Sequence, residues 1–269
     1  MKQQDIKFIH FYMGDGVTVV TAPMGEKIYV VEGKERAMVI DTGMGIGSLL
    51  NSIKTFCSLP LVVVNTHGHP DHAGGNAEFE EVYLHPDDRE LYYKMVTRSH
   101  RACDIRKIFG ADGKIYEDSL LDLSENILPV YGGQTFDLGG REISVYKLEG
   151  HTKGSIVLYD SLTQWLFVGD AVSINDTWVY LDYSTSLEQY KNSLLKFINL
   201  GLPVKKVLSG HESNEAEPDL LDIRLECLNK IISGELKGED VITFAGKGKR
   251  AEYKGTSLIY NERKITDEI

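Results

Sequence analysis

Cysteine is scarce in this chain: three occur in 269 residues, at Cys57, Cys103 and Cys227. They lie far apart and outside every motif described below, which excludes a disulfide framework and suits a reducing cytoplasm. Each reads as a small buried hydrophobe. Long apolar runs are missing as well. The start, Met1-Lys2-Gln3-Gln4-Asp5, leads into none, so the sequence predicts neither a signal peptide nor a membrane span. Basic residues are in deficit, 29 Lys and Arg against 40 Asp and Glu, for a formal charge of −11. That balance argues against a broad nucleic-acid or anionic-membrane surface, since both partners reward clustered cations. It leaves room for a small local basic patch. The remainder, 42% hydrophobic and 26% charged, is ordinary for a soluble globular protein, with length for one large core or two fused halves.

What the chain does have is concentrated in one stretch, Thr66-His67-Gly68-His69-Pro70-Asp71-His72-Ala73-Gly74-Gly75. Three histidines and an aspartate fall within six residues, directly after the apolar run Leu61-Val62-Val63-Val64. A short β-branched run bounded by turn residues reads as a buried strand. Pro70 and the glycines after it are expected to stop that strand in a tight turn. Four groups able to bind a cation are not packed this closely for core stability, because each unpaired buried polar group costs about 1–3 kcal/mol. A metal ion is the partner the chemistry suggests, with imidazole nitrogen and carboxylate oxygen as ligands. The pair of histidines one helical turn apart that marks zinc proteases is absent.

Elsewhere the periodicity predicts strands at 6–12, 17–20, 28–31, 37–40 and 81–84, and helices starting near 47–53, at 75–79 and after His85-Pro86-Asp87-Asp88. Residues 89–120 mix aromatic, basic and apolar side chains and read as one or two short helices over a cleft. Beyond them come a hairpin at 135–146 with a Gly-Gly turn, and a strand pair at 155–159 and 165–168. An amphipathic helix at 187–200, a strand at 204–208, a helix at 220–232 and a hairpin at 241–260 complete the chain. Strand ends deliver Asp41 in the first half and Asp170 in the second.

The motif His67-x-His69-x-Asp71-His72 resembles the central motif of the metallo-β-lactamase-fold hydrolases. Asp41 before Thr42-Gly43, His151 in Gly150-His151-Thr152-Lys153-Gly154-Ser155, Asp170 in Val168-Gly169-Asp170 and His211 in Ser209-Gly210-His211-Glu212 follow in that family's order. The resemblance covers roughly residues 17–215. It implies a four-layer αββα sandwich of two mixed β-sheets flanked by helices, as a single domain over 1–269. A helical cover insertion is expected at about 89–125, and a C-terminal helix plus hairpin at about 218–261.

The resemblance also implies a site. His67, His69 and His151 hold one divalent metal ion and Asp71, His72 and His211 a second, with Asp170 bridging and a hydroxide between the ions. Zn is the expected metal, with Mn or Fe compatible. Asp71 is the expected catalytic group, passing a proton to the leaving group, and Asp41 steadies the histidine loop without touching metal. A carboxylate bridge at Asp170 suits thioesterase-, lactonase- and phosphodiesterase-like relatives and disfavours antibiotic hydrolysis. Lys153 stands where relatives often carry proline. The short tail after His211 argues against glutathione thioesters. His10, His85 and His100 match no ligand position, and Tyr180, Asp182 and Tyr183 are expected near the cleft. The expected function is a cytoplasmic dinuclear metal-dependent hydrolase of a small-molecule ester, lactone, thioester or phosphoester, with no nucleic-acid or membrane partner. The alternatives are a nuclease or RNA-processing phosphodiesterase on the same fold, and a non-catalytic metal-binding module.

Overall fold

Short β-branched runs separated by glycine turns form the first sheet. The computed structural model describes residues 6–212 and 214–267; the expectation about a leader, which rests on residues 1–5, lies outside them. The chain divides into two compact units, Met1–Ile143 and Ser144–Ile269.

In the first unit, β1 (Ile9–Gly14), β2 (Val17–Thr21), β3 (Lys27–Glu32) and β4 (Ala37–Ile40) pair antiparallel in sequence order. From β4 onward the sheet turns parallel, through β5 (Leu61–Val64), β6 (Val82–Leu84) and β7 (Leu128–Pro129). The change follows from the connections. Tight turns join the early strands, whereas parallel neighbours need crossovers. These are supplied by α1 (Leu49–Ile53), α2 (Pro70–Ala73), and the run α3 (Arg89–Met95), α4 (Arg98–Phe109) and α5 (Lys114–Asp118). α1 is only five residues long and is held at its start from outside. Ser48 Oγ accepts from Asn51 N, and the Glu78 carboxylate accepts from Leu49 N and Leu50 N. The core gathers Val30, Val39, Val63 and Val82 from the sheet with Leu49, Ile53 and Tyr92 from the helices. The outermost strand differs: Ile9 and Phe11 of β1 are 68% and 69% exposed.

Two expectations are corrected here. The helix predicted at 75–79 is only a 3₁₀ turn, Asn76–Glu78. The helix comes earlier, as α2, with His69 as N-cap and Pro70 in the first turn. Proline is well placed there because its missing N–H would have no intrahelical partner anyway. Asp71 and His72 therefore ride on a helical turn rather than a loop.

β8 (Thr135–Asp137) leads through Gly139-Gly140 into β9 (Glu142–Lys147), within which the division falls. The second unit continues with β10 (Ile156–Asp160), β11 (Trp165–Gly169), β12 (Thr177–Val179), α6 (Leu187–Ile198), β13 (Lys206–Ser209) and α7 (Leu220–Ile232). Its first sheet has the order β13-β11-β10-β9, with β11 and β13 parallel. Leu187, Tyr190, Leu194 and Phe197 of α6 and Leu221, Leu228 and Ile231 of α7 pack on Val157, Leu166 and Val168. The expected terminal hairpin has three strands, β14 (Glu239–Thr243), β15 (Gly246–Tyr253) and β16 (Thr256–Tyr260), and β16 takes up β12 in parallel. Among the described residues no helix is long and apolar enough to cross a membrane.

Candidate metal centre

Both units present chemistry at the carboxyl ends of adjacent parallel strands, where α/β folds gather their ligands. In the first unit, β4 ends just before Asp41 and β5 just before Asn65-Thr66-His67. Asp41 adopts a left-handed backbone, φ +65°, which aspartate tolerates better than most residues. Its buried carboxylate then accepts three hydrogen bonds: from Thr66 N (2.7 Å), Thr66 Oγ1 (2.8 Å) and His72 Nδ1 (2.8 Å). Since the Thr66 hydroxyl hydrogen is spent on Asp41, its oxygen accepts from His67 Nδ1 at 3.1 Å. Asp41 thus fixes two imidazoles, one directly and one through Thr66, with the proton on Nδ1 and the lone pair on Nε2. The His67 ring stands 4.8 Å from that of His69 and 4.1 Å from that of His72, centroid to centroid. The carbonyl of His72 accepts from Thr42 N and Asn65 Nδ2, and Gly68 N donates to the buried Asp88 carboxylate.

In the second unit, β11 and β13 run parallel, β11 ending just before Asp170 and β13 two residues before His211. Gly210 N donates to Gly169 O, and Glu212 ties the two loops by accepting from Asn175 N (2.7 Å) and Ser209 Oγ (3.0 Å). His151 lies in a turn closed by Thr152 N on Ser155 Oγ, with Ser184 Oγ donating to the His151 carbonyl. Its Nδ1 donates to Trp178 O at 2.7 Å, so here too Nε2 carries the lone pair. Behind this turn Tyr190 is wholly buried; its ring lies against Gly150 and its hydroxyl donates to Ala171 O. Burial pushes the Tyr190 hydroxyl well above the usual tyrosine range.

The donor set fits a metal on this geometry. His72 Nε2 faces Asp71 Oδ2 at 3.7 Å, and His151 Nε2 faces Asp170 Oδ2 at 3.8 Å. His211 Nε2 lies 3.2 Å from the same Asp170 oxygen. The 3.7 and 3.8 Å pairs are too long to share a proton, and an imidazole lone pair repels a carboxylate across such a gap. Two donors each ~2.1 Å from one tetrahedral ion stand about 3.4 Å apart, close to what is seen. A proton-bearing Nδ1 anchored on an oxygen is also how ligating histidines are held.

The structure thus brings His67, His69, Asp71 and His72 together within the first unit, and His151, Asp170 and His211 within the second; all seven are candidate metal ligands. The histidines outside this set are engaged elsewhere. His85 Nδ1 accepts from Asp87 N, His10 packs on Phe56, and His100 pairs with Asp104 on α4. The hydroxyl of Tyr180, a residue expected near the cleft, is hydrogen bonded to Thr243 Oγ1. Lys153 is exposed. Asn65, Asp88, Ser184 and Tyr190 escape sequence reasoning, since each acts on a backbone group and all but Asn65 do so through partners distant in sequence. Only Asn65, next to Thr66, stood close enough to the motif to be noticed.

A model of the metallo-beta-lactamase superfamily matches residues 22–211. The acyl-coenzyme A thioesterase MBLAC2 of Gallus gallus is 31% identical over 234 residues, covering 76% of this chain and 80% of that protein. A hydroxyacylglutathione hydrolase of Hyphomonas neptunium is 31% identical over 140 residues, 52% of this chain and 44% of its own length. Among solved structures, a metallo-beta-lactamase from Pontibacter korlensis gives a TM-score of 0.61 at 21% identity, covering 83% of this chain and 99% of the other. That last likeness is one of fold. The chain belongs to the metallo-beta-lactamase superfamily and is a hydrolase with its α/β fold.

Proposed function

We propose that this enzyme is a dinuclear metal-dependent hydrolase of small-molecule thioesters. His67, His69 and His151 hold one ion, Asp71, His72 and His211 the other, and Asp170 serves both. The observation that carries this is the recurrence in each unit of a histidine anchored through Nδ1 whose Nε2 faces a carboxylate oxygen at 3.7–3.8 Å. Zinc is the metal most suited to a set rich in imidazole, with manganese and iron compatible.

When bound, two such ions polarise a carbonyl oxygen and bring the pKa of water from ~15.7 toward ~7. The chain's own residues do the rest. Asp41 and the Trp178 carbonyl keep the Nδ1 protons in place, so that Nε2 is the donor at neutral pH without reorganisation. The Asp71 side chain is 29% exposed, open enough to take a proton from attacking water and return it to the leaving group. His211, 45% exposed, marks the side from which substrate enters; a closed structural site would bury it. Hydrolysis of a thioester then adds water across the C–S bond to give a carboxylic acid and a thiol. Thioesters are favoured over the ester, lactone and phosphoester alternatives by the named activities of the two relatives above. The charge of −11 gives no support to a nuclease reading.

The test is a turnover screen on full-length protein reconstituted with zinc, manganese or iron. It covers acyl-coenzyme A, hydroxyacylglutathione, lactones and a phosphodiester. Acyl thioesters should be hydrolysed, and Asp71→Ala should lose about 100-fold or more, the usual worth of a positioned acid–base group. Equal rates for wild type and Asp71→Ala on every class would end the catalytic assignment.

A further inference from the structure

Arg101 of α4 is wholly buried, at 0% exposure. Four of its five N–H groups are spent on main-chain carbonyls: Nε on Val96 O (2.9 Å), Nη1 on Met44 O (2.9 Å) and Gly74 O (3.0 Å), and Nη2 on Leu121 O (2.6 Å). Among the described residues no carboxylate forms an ion pair with it; a guanidinium buried that way is costly, and burial lowers its pKa to about 10. A methionine would fill the same space with no such cost, so the retained charge and donors need an explanation.

The carbonyls it holds supply one. Gly74 ends α2, the helical turn that carries Asp71 and His72. Met44 lies three residues beyond Asp41, the anchor of His72 and, through Thr66, of His67. These two backbones are pressed together. A Cβ on Gly45 would sit 2.1 Å from Gly74 O and 2.5 Å from Arg101 Nη1, and one on Gly74 would sit 2.3 Å from Met44 O. The third partner, Leu121, donates its own N–H to Gly45 O. α2 has four residues, too few to stand by itself. Its carboxyl end is set by what grips it.

We infer that Arg101 is a positioning residue for the metal centre: its guanidinium clamps the end of α2 to the Met44 loop and to the 119–121 segment, holding Asp71 and His72 in ligating position. This gives the helices of residues 89–118 a role in metal binding. The inference rests on the assignment of His67, His69, Asp71 and His72 as ligands.

Full-length apoprotein is titrated with Zn(II) against a chromophoric chelator, for wild type, Arg101→Met, Arg101→Lys and Ile53→Ala. Ile53 of α1 is buried in the core of the same unit, so its variant controls for lost stability. Thermal midpoints are recorded alongside. Arg101→Met should weaken zinc binding at least tenfold at one or both sites. Arg101→Lys, with the charge but without the planar fork, should fall between it and wild type. Ile53→Ala should bind within twofold of wild type despite a lowered midpoint. If Arg101→Met does not fold, Arg101→Lys against Ile53→Ala decides the matter. Wild-type affinity in the Arg101 variants, or an equal loss in Ile53→Ala, overturns the clamp. A wild-type protein that binds no zinc overturns the ligand assignment beneath it, and the clamp with it.

Discussion

At the scale of single residues, Asp41 concentrates more consequence than any ligand. One carboxylate orients His72 directly and His67 through Thr66, from a backbone conformation that costs of order 1 kcal/mol or more to hold. Asn suits the left-handed backbone at least as well as Asp, but its amide cannot accept all three hydrogen bonds with a charged oxygen. Asp41→Asn should therefore leave the fold standing and weaken metal binding about 10–100-fold, the usual effect of removing a residue that orients a ligand. Chelator competition measures the affinity and circular dichroism the fold; unchanged affinity would show that the imidazoles hold their orientation without the charge. Asp41 was legible in the sequence because it ends an apolar run and precedes Thr42-Gly43. Arg101 was not. It sits among Arg98, Arg106 and Lys107 on α4, where one buried cation looks like the solvated ones. Its partners are carbonyl oxygens, which every residue carries and no residue type announces.

At the scale of elements, strands and long amphipathic helices were read well and short or borrowed ones were not. α7 coincides with the expected 220–232, because its apolar residues repeat at helical spacing over thirteen residues. β12, three residues long, has no local signature; it exists because β16, some eighty residues later, offers it a partner. α2 was read as a turn because its four residues cannot show a period. The join between α6 and the His151 turn is a further tertiary feature with a testable edge. A Cβ at Gly150 would lie 2.3 Å from Tyr190 Cδ2, so Gly150→Ala must displace the tyrosine ring or the turn. Overpacking of this kind costs about 1–3 kcal/mol. A urea-denaturation midpoint should fall accordingly. In a double-mutant cycle Tyr190→Leu should recover part of the loss, since the two sites are in contact. An unchanged midpoint would mean that the ring yields freely.

At the scale of the whole molecule, each unit has its own hydrophobic core, so folding alone does not require metal. Bound metal should still stabilise. An ion present at about a hundred times its Kd adds roughly 2.7 kcal/mol. For a chain of this length that is a thermal midpoint about 5–10 °C higher. Calorimetry before and after chelation, with zinc added back, measures it; identical midpoints would argue that the folded chain holds no ion tightly. One further feature bears on handling the protein rather than on its chemistry. The outer rim of the first sheet ends in β1, whose Ile9 and Phe11 lie open to water with no lysine or proline to guard them. A strand of that character invites the backbone of a crowding neighbour to line up beside it. Concentrated stocks will tend to clump along this margin, and Phe11→Lys is a single change that guards it.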